Sequence, residues 1–182
     1  FDAPTGIDFP GEASGALYGL SDRERQGRIW RVGDTYNISI GQGDVSLVPL
    51  RLLSFVGGIG AGGKVKRPFI VEQVKNHKGE IIERAMPSDI LNFSDMAPAI
   101  AEVQKGLRAA VEAKDGTAHK LSDLPITVAG KTGSAQISGN TKINAFFVGY
   151  APAENPEIAI LVLVEDAREG SLNAVPIARD AF

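Results

Sequence analysis

The chain has 182 residues, 43% of them hydrophobic and 23% charged, with a formal net charge of −3. That composition is ordinary for a globular domain with its own core and lacks the basic excess of a nucleic-acid surface, so no nucleic-acid partner is expected. Cysteine is absent, which rules out disulfides and thiolate metal sites, and the longest apolar run, 158–164, falls far short of the roughly 20 residues of a membrane span.

Residues 1–45 are punctuated by Pro4, Gly6, Pro10, Gly11, Gly15, Gly19, Gly27, Gly33, Gly41 and Gly43. Such a stretch predicts an irregular excursion, either functional or packed against structure supplied elsewhere. A helix is predicted over 49–56, opened by Pro49 in its first turn and ended by Gly57 and Gly58. Residues 66–74 and 79–86 read as a hairpin turning at 76–79. The strongest helix signal covers 95–113. Ser94 or Asp95 can cap it, and Met96, Ile100, Val103, Leu107 and Val111 form one apolar stripe. Three strands follow, at 126–137, 143–150 and 158–164, joined by short connections that favour an antiparallel meander. The last is apolar throughout, so cover on both faces is expected, one side of it from a helix over 174–182. The expected fold class is α/β in the layered, α+β sense: an antiparallel sheet packed against helices. There is no internal repeat and no low-complexity tract. Phe1 opens directly into a turn-rich stretch and Phe182 falls inside a predicted helix, so the chain is expected to be part of a longer polypeptide.

The segment that carries chemistry is Ala129-Gly130-Lys131-Thr132-Gly133-Ser134-Ala135-Gln136. Lys131 offers a positive charge and Thr132 a hydroxyl. Gly133 has no Cβ, so a ligand can lie close against the backbone. An edge strand built this way can accept an extended peptide and hold its terminal carboxylate. The Ser134 N–H can then serve as one oxyanion donor. The candidate catalytic residues are Lys131, Thr132, Gly133 and Ser134; the candidate substrate-binding residues are Lys131, Thr132, Ser134, Ala135 and Gln136. His77 and His119 stand apart in polar stretches, so no metal is expected. The glycines at 57–63 lack the Gly-Lys-Ser/Thr ending of a phosphate loop. Glu165 and Asp166 read as a solvated turn, and Trp30 and Tyr36 as core or loop packing.

Lys-Thr-Gly is a motif of serine β-lactamases and penicillin-binding proteins. Further blocks resemble the transpeptidase domain of the penicillin-binding proteins, in that family's order and across nearly the whole chain. They are Thr5-Gly6-Ile7-Asp8-Phe9-Pro10-Gly11-Glu12, Gly33-Asp34-Thr35 with Ile40-Gly41-Gln42-Gly43, Val48-Pro49-Leu50, Ala61-Gly62-Gly63-Lys64 with Arg67-Pro68, and Phe147-Val148-Gly149-Tyr150-Ala151-Pro152. The Ile-Gly-Gln-Gly form is similar to class B enzymes of the penicillin-binding protein 2 type. The resemblance implies that 1–182 is the C-terminal portion of such a domain, with the penicillin-binding/serine β-lactamase-like fold incomplete in this chain. It implies a peptidoglycan D,D-transpeptidase that works through an acyl-serine, needs no cofactor and is trapped by β-lactams. The implied partners are the peptidoglycan stem peptide, β-lactams, the upstream remainder of the domain and cell-elongation membrane proteins. The implied location is the periplasmic face of the bacterial inner membrane, with an anchor outside this chain.

The family also uses Ser-x-x-Lys and Ser-x-Asn. No serine here is followed three places on by lysine, so this chain alone is expected to be inactive. Ser138-Gly139-Asn140 and Ser171-Leu172-Asn173 both follow Lys131, whereas the family's motif precedes it, and the first falls in a predicted turn. The family's aromatic run before Val-Gly-Tyr is Asn144-Ala145-Phe146-Phe147 here, and its later Gly-Gly pair is Glu169-Gly170-Ser171. Two alternatives remain open: a related β-lactamase or carboxypeptidase, and a non-catalytic peptidoglycan-binding module.

Overall fold

A computed structural model describes residues 2–17, 19–137 and 142–182. Its centre is an antiparallel meander of β7 (Ala129–Ile137), β8 (Lys142–Ala151) and β9 (Ile158–Val164), in that spatial order. The register pairs Lys131 with Val148, Gly133 with Phe146 and Ser134 with Ala145. Because side chains alternate along a strand, Ala129, Lys131, Gly133 and Ala135 share one face with Phe146, Val148 and Tyr150. Gly130, Thr132, Ser134 and Gln136 share the other with Phe147 and Ala145.

Each face has its own core. On the first, α3 (Pro49–Gly60) packs Leu52, Leu53 and Val56 against Ala129, Val148 and Tyr150, joined by Leu107 of α4 (Ala97–Glu112). On the second, Val175 and Ala178 of α5 (Val175–Ala181) meet Phe147, Val128, Val111 and Leu121. Phe147 is fully buried and meets Phe182 edge to face, 6.3 Å between ring centres.

The helix over 49–56 runs on to Gly60, through the two glycines expected to stop it. Packing is the reason: a Cβ at Gly58 would lie 2.6 Å from Val65 Cγ2, and one at Gly60 3.1 Å from the Tyr150 ring. These glycines bring α3 close to the sheet, and the backbone turns left-handed only at Gly62 and Gly63. Helix α4 begins after a short 3-10 turn at Ser94–Met96, with Pro98 in its first turn and no side-chain cap. Of its predicted stripe, Ile100 and Val111 are buried, but Met96 is 55% and Val103 46% exposed.

Three other expectations are corrected. The 66–74 and 79–86 hairpin shrinks to β4 (Gln73–Lys75) with β5 (Ile81–Arg84). Its foot is replaced by a separate pair, β3 (Lys64–Lys66) with β6 (Asp89–Asn92). The irregular first stretch contains β1 (Ala16–Leu17), α1 (Leu20–Arg25), α2 (Val32–Ser39) and β2 (Val45–Ser46), with β1 pairing β2. Both helices are short and start without a Ser/Thr cap. Instead the Asp22 and Asp34 carboxylates reach back to the N–H of Gly19 and Arg31, at 2.9 and 2.8 Å. α2 buries no residue, which is why hydrophobic spacing did not reveal it. Strand β9 matches its predicted bounds but is half-buried rather than covered on both faces, with Ile158 exposed. Among the described residues, no helix is long and apolar enough to cross a membrane.

Candidate active site

β7 pairs β8 on one side, and among the described residues no strand pairs its other edge. In an antiparallel ladder a residue's N–H and C=O point to the same side. Two contacts show which residues face the open edge: Lys131 Nζ donates to the Thr132 carbonyl at 2.8 Å and Gln42 Nε2 donates to the Ser134 carbonyl at 3.1 Å. Thr132 and Ser134 therefore present both backbone groups outward.

That edge borders a cleft of about 520 Å³ between the first sheet face, α3 and the strap that precedes it. Leu52, Phe55, Val56, Phe146 and Val148 make its apolar wall, and Lys131, Thr132, Gly133, Ser134 and Ala135 run along its rim. Gln136, the last candidate binding residue, does not line it; its side chain is exposed on the opposite face. Lys131 is exposed, and among the described residues no carboxylate pairs with it.

The second face holds the hydroxyls. Thr132 Oγ1 donates to Thr117 Oγ1 at 2.8 Å, and Ser134 Oγ accepts the Gly170 N–H at 3.2 Å. Thr117 was missed in the sequence; the available signal was its place just past Gly116, where α4 has ended. Gly116 and Gly170 are fixed by crowding, since a Cβ on either would lie 2.4 Å from a backbone oxygen. Gly133 differs. A Cβ there would sit 3.5 Å from Phe146 Cβ, an ordinary contact, so the protein's own packing does not demand glycine at this position.

The remaining candidates are structural. Asn173 Oδ1 accepts the N–H groups of Arg168 and Glu169, so Ser171 and Asn173 build a turn. Ser138-Gly139-Asn140 lies outside the described residues. His119 Nδ1 lies 3.1 Å from the Val111 carbonyl, His77 is exposed, and Asp166 pairs with Lys142 at 2.8 Å. Trp30 donates to Thr35 Oγ1 at 2.8 Å under the Arg23 guanidinium, while Tyr36 points outward and is 68% exposed. Among the described residues no group of three or more His, Asp or Glu side chains is placed to hold a metal. Tyr150 has a buried hydroxyl with no partner among the described residues, and its burial raises its pKa.

The family model of the penicillin binding protein transpeptidase domain matches residues 1–182. The chain belongs to this family. The transpeptidase-family chain is 31% identical to peptidoglycan D,D-transpeptidase MrdA of Haemophilus influenzae, an alignment covering 98% of this chain and 30% of that protein. It superposes on penicillin-binding protein 2 of Helicobacter pylori, solved in complex with MreC, with a TM-score of 0.81 at 31% identity, covering 98% of this chain and 32% of that one. Penicillin-binding protein A of M. tuberculosis, solved as an imipenem acyl-enzyme, gives a TM-score of 0.75 at 26% identity, covering 96% and 38%. The mixed helix and antiparallel-sheet architecture is thus that of penicillin-binding transpeptidase domains, and the chain spans about a third of the length of the relatives it matches.

Proposed function

We propose that this chain supplies the substrate-strand part of a peptidoglycan D,D-transpeptidase that β-lactams inhibit. One observation carries this: Lys131, Thr132, Gly133 and Ser134 lie along an unpaired sheet edge that rims a cleft of about 520 Å³. An extended stem peptide can add to that edge through the outward N–H and C=O of Ser134. Lys131 and the Thr132 hydroxyl would hold its terminal carboxylate. Gly133, glycine without a packing reason, would let the ligand backbone approach, and Ser134 N–H would bond the oxygen that becomes negative during acyl transfer.

The nucleophile would come from a serine outside this chain. Its Oγ adds to the penultimate D-Ala carbonyl, passing its proton to a neighbouring base. The C–N bond then breaks, the terminal D-Ala leaves as a protonated amine, and an acyl-serine ester remains. An amine of a neighbouring strand attacks that ester, forms the cross-link and returns the serine hydroxyl. A β-lactam follows the first half of this course, but its opened ring stays attached. Action at the outer face of the inner membrane, and a membrane partner in cell elongation, are proposed on the kinship with MrdA and with the penicillin-binding protein 2 solved with MreC.

Fluorescent-penicillin labelling, read on a denaturing gel, tests this on the chain and on the complete protein that carries it. Label on the complete protein alone supports the proposal. Label on the isolated chain overturns the absence of a nucleophile, and label on neither favours a non-catalytic binding module.

A further inference from the structure

Gln42 is separated from Ser134 by 92 positions in sequence, yet its side-chain amide donates to the Ser134 carbonyl at 3.1 Å. The strap around it is built to reach there. Gly41 and Gly43 both adopt left-handed backbone, φ +73° and +76°, which a side chain would resist. Gln42 N–H is tied to the Asn37 carbonyl at 2.9 Å and Gly41 N–H to Ile38 at 3.0 Å, so the strap grows out of the end of α2. Arg23 pairs with Asp44 beyond the tip and lies 3.5 Å from Asp34 before it, bracing both limbs. The carbonyl that Gln42 reaches is the acceptor that an added strand would use for its first amide N–H.

We propose that Gln42 is a specificity-determining residue: its amide stands in for the backbone N–H of an extended ligand, and it thereby narrows the advantage that a ligand carrying an amide donor would otherwise have at this edge. This rests on the transpeptidase reading of the Lys131–Ser134 edge. A ligand with such a donor competes with Gln42 for the Ser134 carbonyl, whereas a ligand without one leaves the contact in place. The displaced amide becomes hydrated, so the competition is worth the net value of one amide–carbonyl hydrogen bond, roughly twofold to tenfold in rate or affinity.

The test uses the complete protein with Gln42→Ala and Gln42→Met, the second keeping side-chain length while losing the donor. Second-order acylation rates are measured with a penicillin bearing its acylamino side chain and with the same penam nucleus lacking it, by competition against a fluorescent penicillin. Thermal melting of each variant within a few degrees of wild type reports an intact fold. The expected result is a roughly twofold to tenfold rise in both variants for the acylamino penicillin, and no change for the bare nucleus. Equal changes with both ligands, a fall with the acylamino penicillin, or rates matching wild type overturn the inference while the transpeptidase reading stands. A wild-type protein that takes neither ligand overturns that reading, and the inference with it.

Discussion

Thr117 and Thr132 face each other 2.8 Å apart, hydroxyl to hydroxyl, across the gap between the end of α4 and the rim of the cleft. Thr132 donates in the free protein. When a ligand carboxylate arrives, Thr132 can turn its proton outward and accept one from Thr117 instead, since each hydroxyl both donates and accepts. Such a chain polarises the outward O–H and strengthens it.

Thr117→Val keeps the shape and removes the relay. It is expected to lower the second-order rate of penicillin acylation in the complete protein by roughly threefold to tenfold, the net worth of one hydrogen bond. The melting temperature should stay near wild type. Stopped-flow quenching or gel-based labelling reads the rate, and an unchanged rate removes Thr117 from the site.

Lys131 is exposed and has no carboxylate partner among the described residues, so the fold does not depend on its charge. Lys131→Gln is expected to slow acylation about tenfold to a hundredfold, as befits a charge-assisted contact with the ligand carboxylate. An equally large loss of stability in a denaturant titration would contradict this assignment.

Gly133 and Gly170 should separate cleanly. Gly133→Ala meets only Phe146 Cβ at 3.5 Å, so the fold should survive while acylation falls roughly tenfold or more, about 1.4 kcal/mol. Gly170→Ala would place Cβ 2.4 Å from the Phe146 carbonyl and 2.7 Å from that of Gly133. Overpacking of this kind costs about 1–3 kcal/mol, and urea denaturation should show it.

Asp8, Glu12, Asp22, Asp123 and Glu154 all titrate below the usual carboxylate range and contribute to the acid limb of stability. Asp123 is held below its usual range by the Arg179 guanidinium, and Glu154 by the Thr127 hydroxyl and then Arg108. A lowered folded-state pKa stabilises above the unfolded value and is lost as pH falls through the folded one. Stability should therefore be level above the ordinary carboxylate range of about 4 and decline below it. Asp123→Asn with Glu154→Gln should make that decline shallower, with Asp8, Glu12 and Asp22 accounting for what is left, as read by melting temperature against pH.

The meander, helix α4 and the Lys131–Ser134 strand were legible because their signals are local. Alternation, a helical stripe and a tripeptide on an extended run each need only neighbours in sequence. The bounds of Ile158–Val164 were read correctly for the same reason. Helices α1 and α2 were not legible, because carboxylates three residues in do the capping and α2 buries nothing. The stop at Gly57 and Gly58 failed because the glycine at 58 answers to the close approach of Val65 rather than to the helix end, while Gly57 makes only an ordinary contact with Ala159.

By itself the sequence determined that a Lys-Thr-Gly strand exists, that it sits in an antiparallel meander, and that no Ser-x-x-Lys occurs within these 182 residues. Only the tertiary structure decided which edge of that strand is open, that Thr117 and Gly170 brace its hydroxyls, and that Gln42 crosses 92 positions to hold its carbonyl. Those contacts join segments far apart in the chain, and no local pattern encodes a pairing that chain folding alone brings within hydrogen-bond distance.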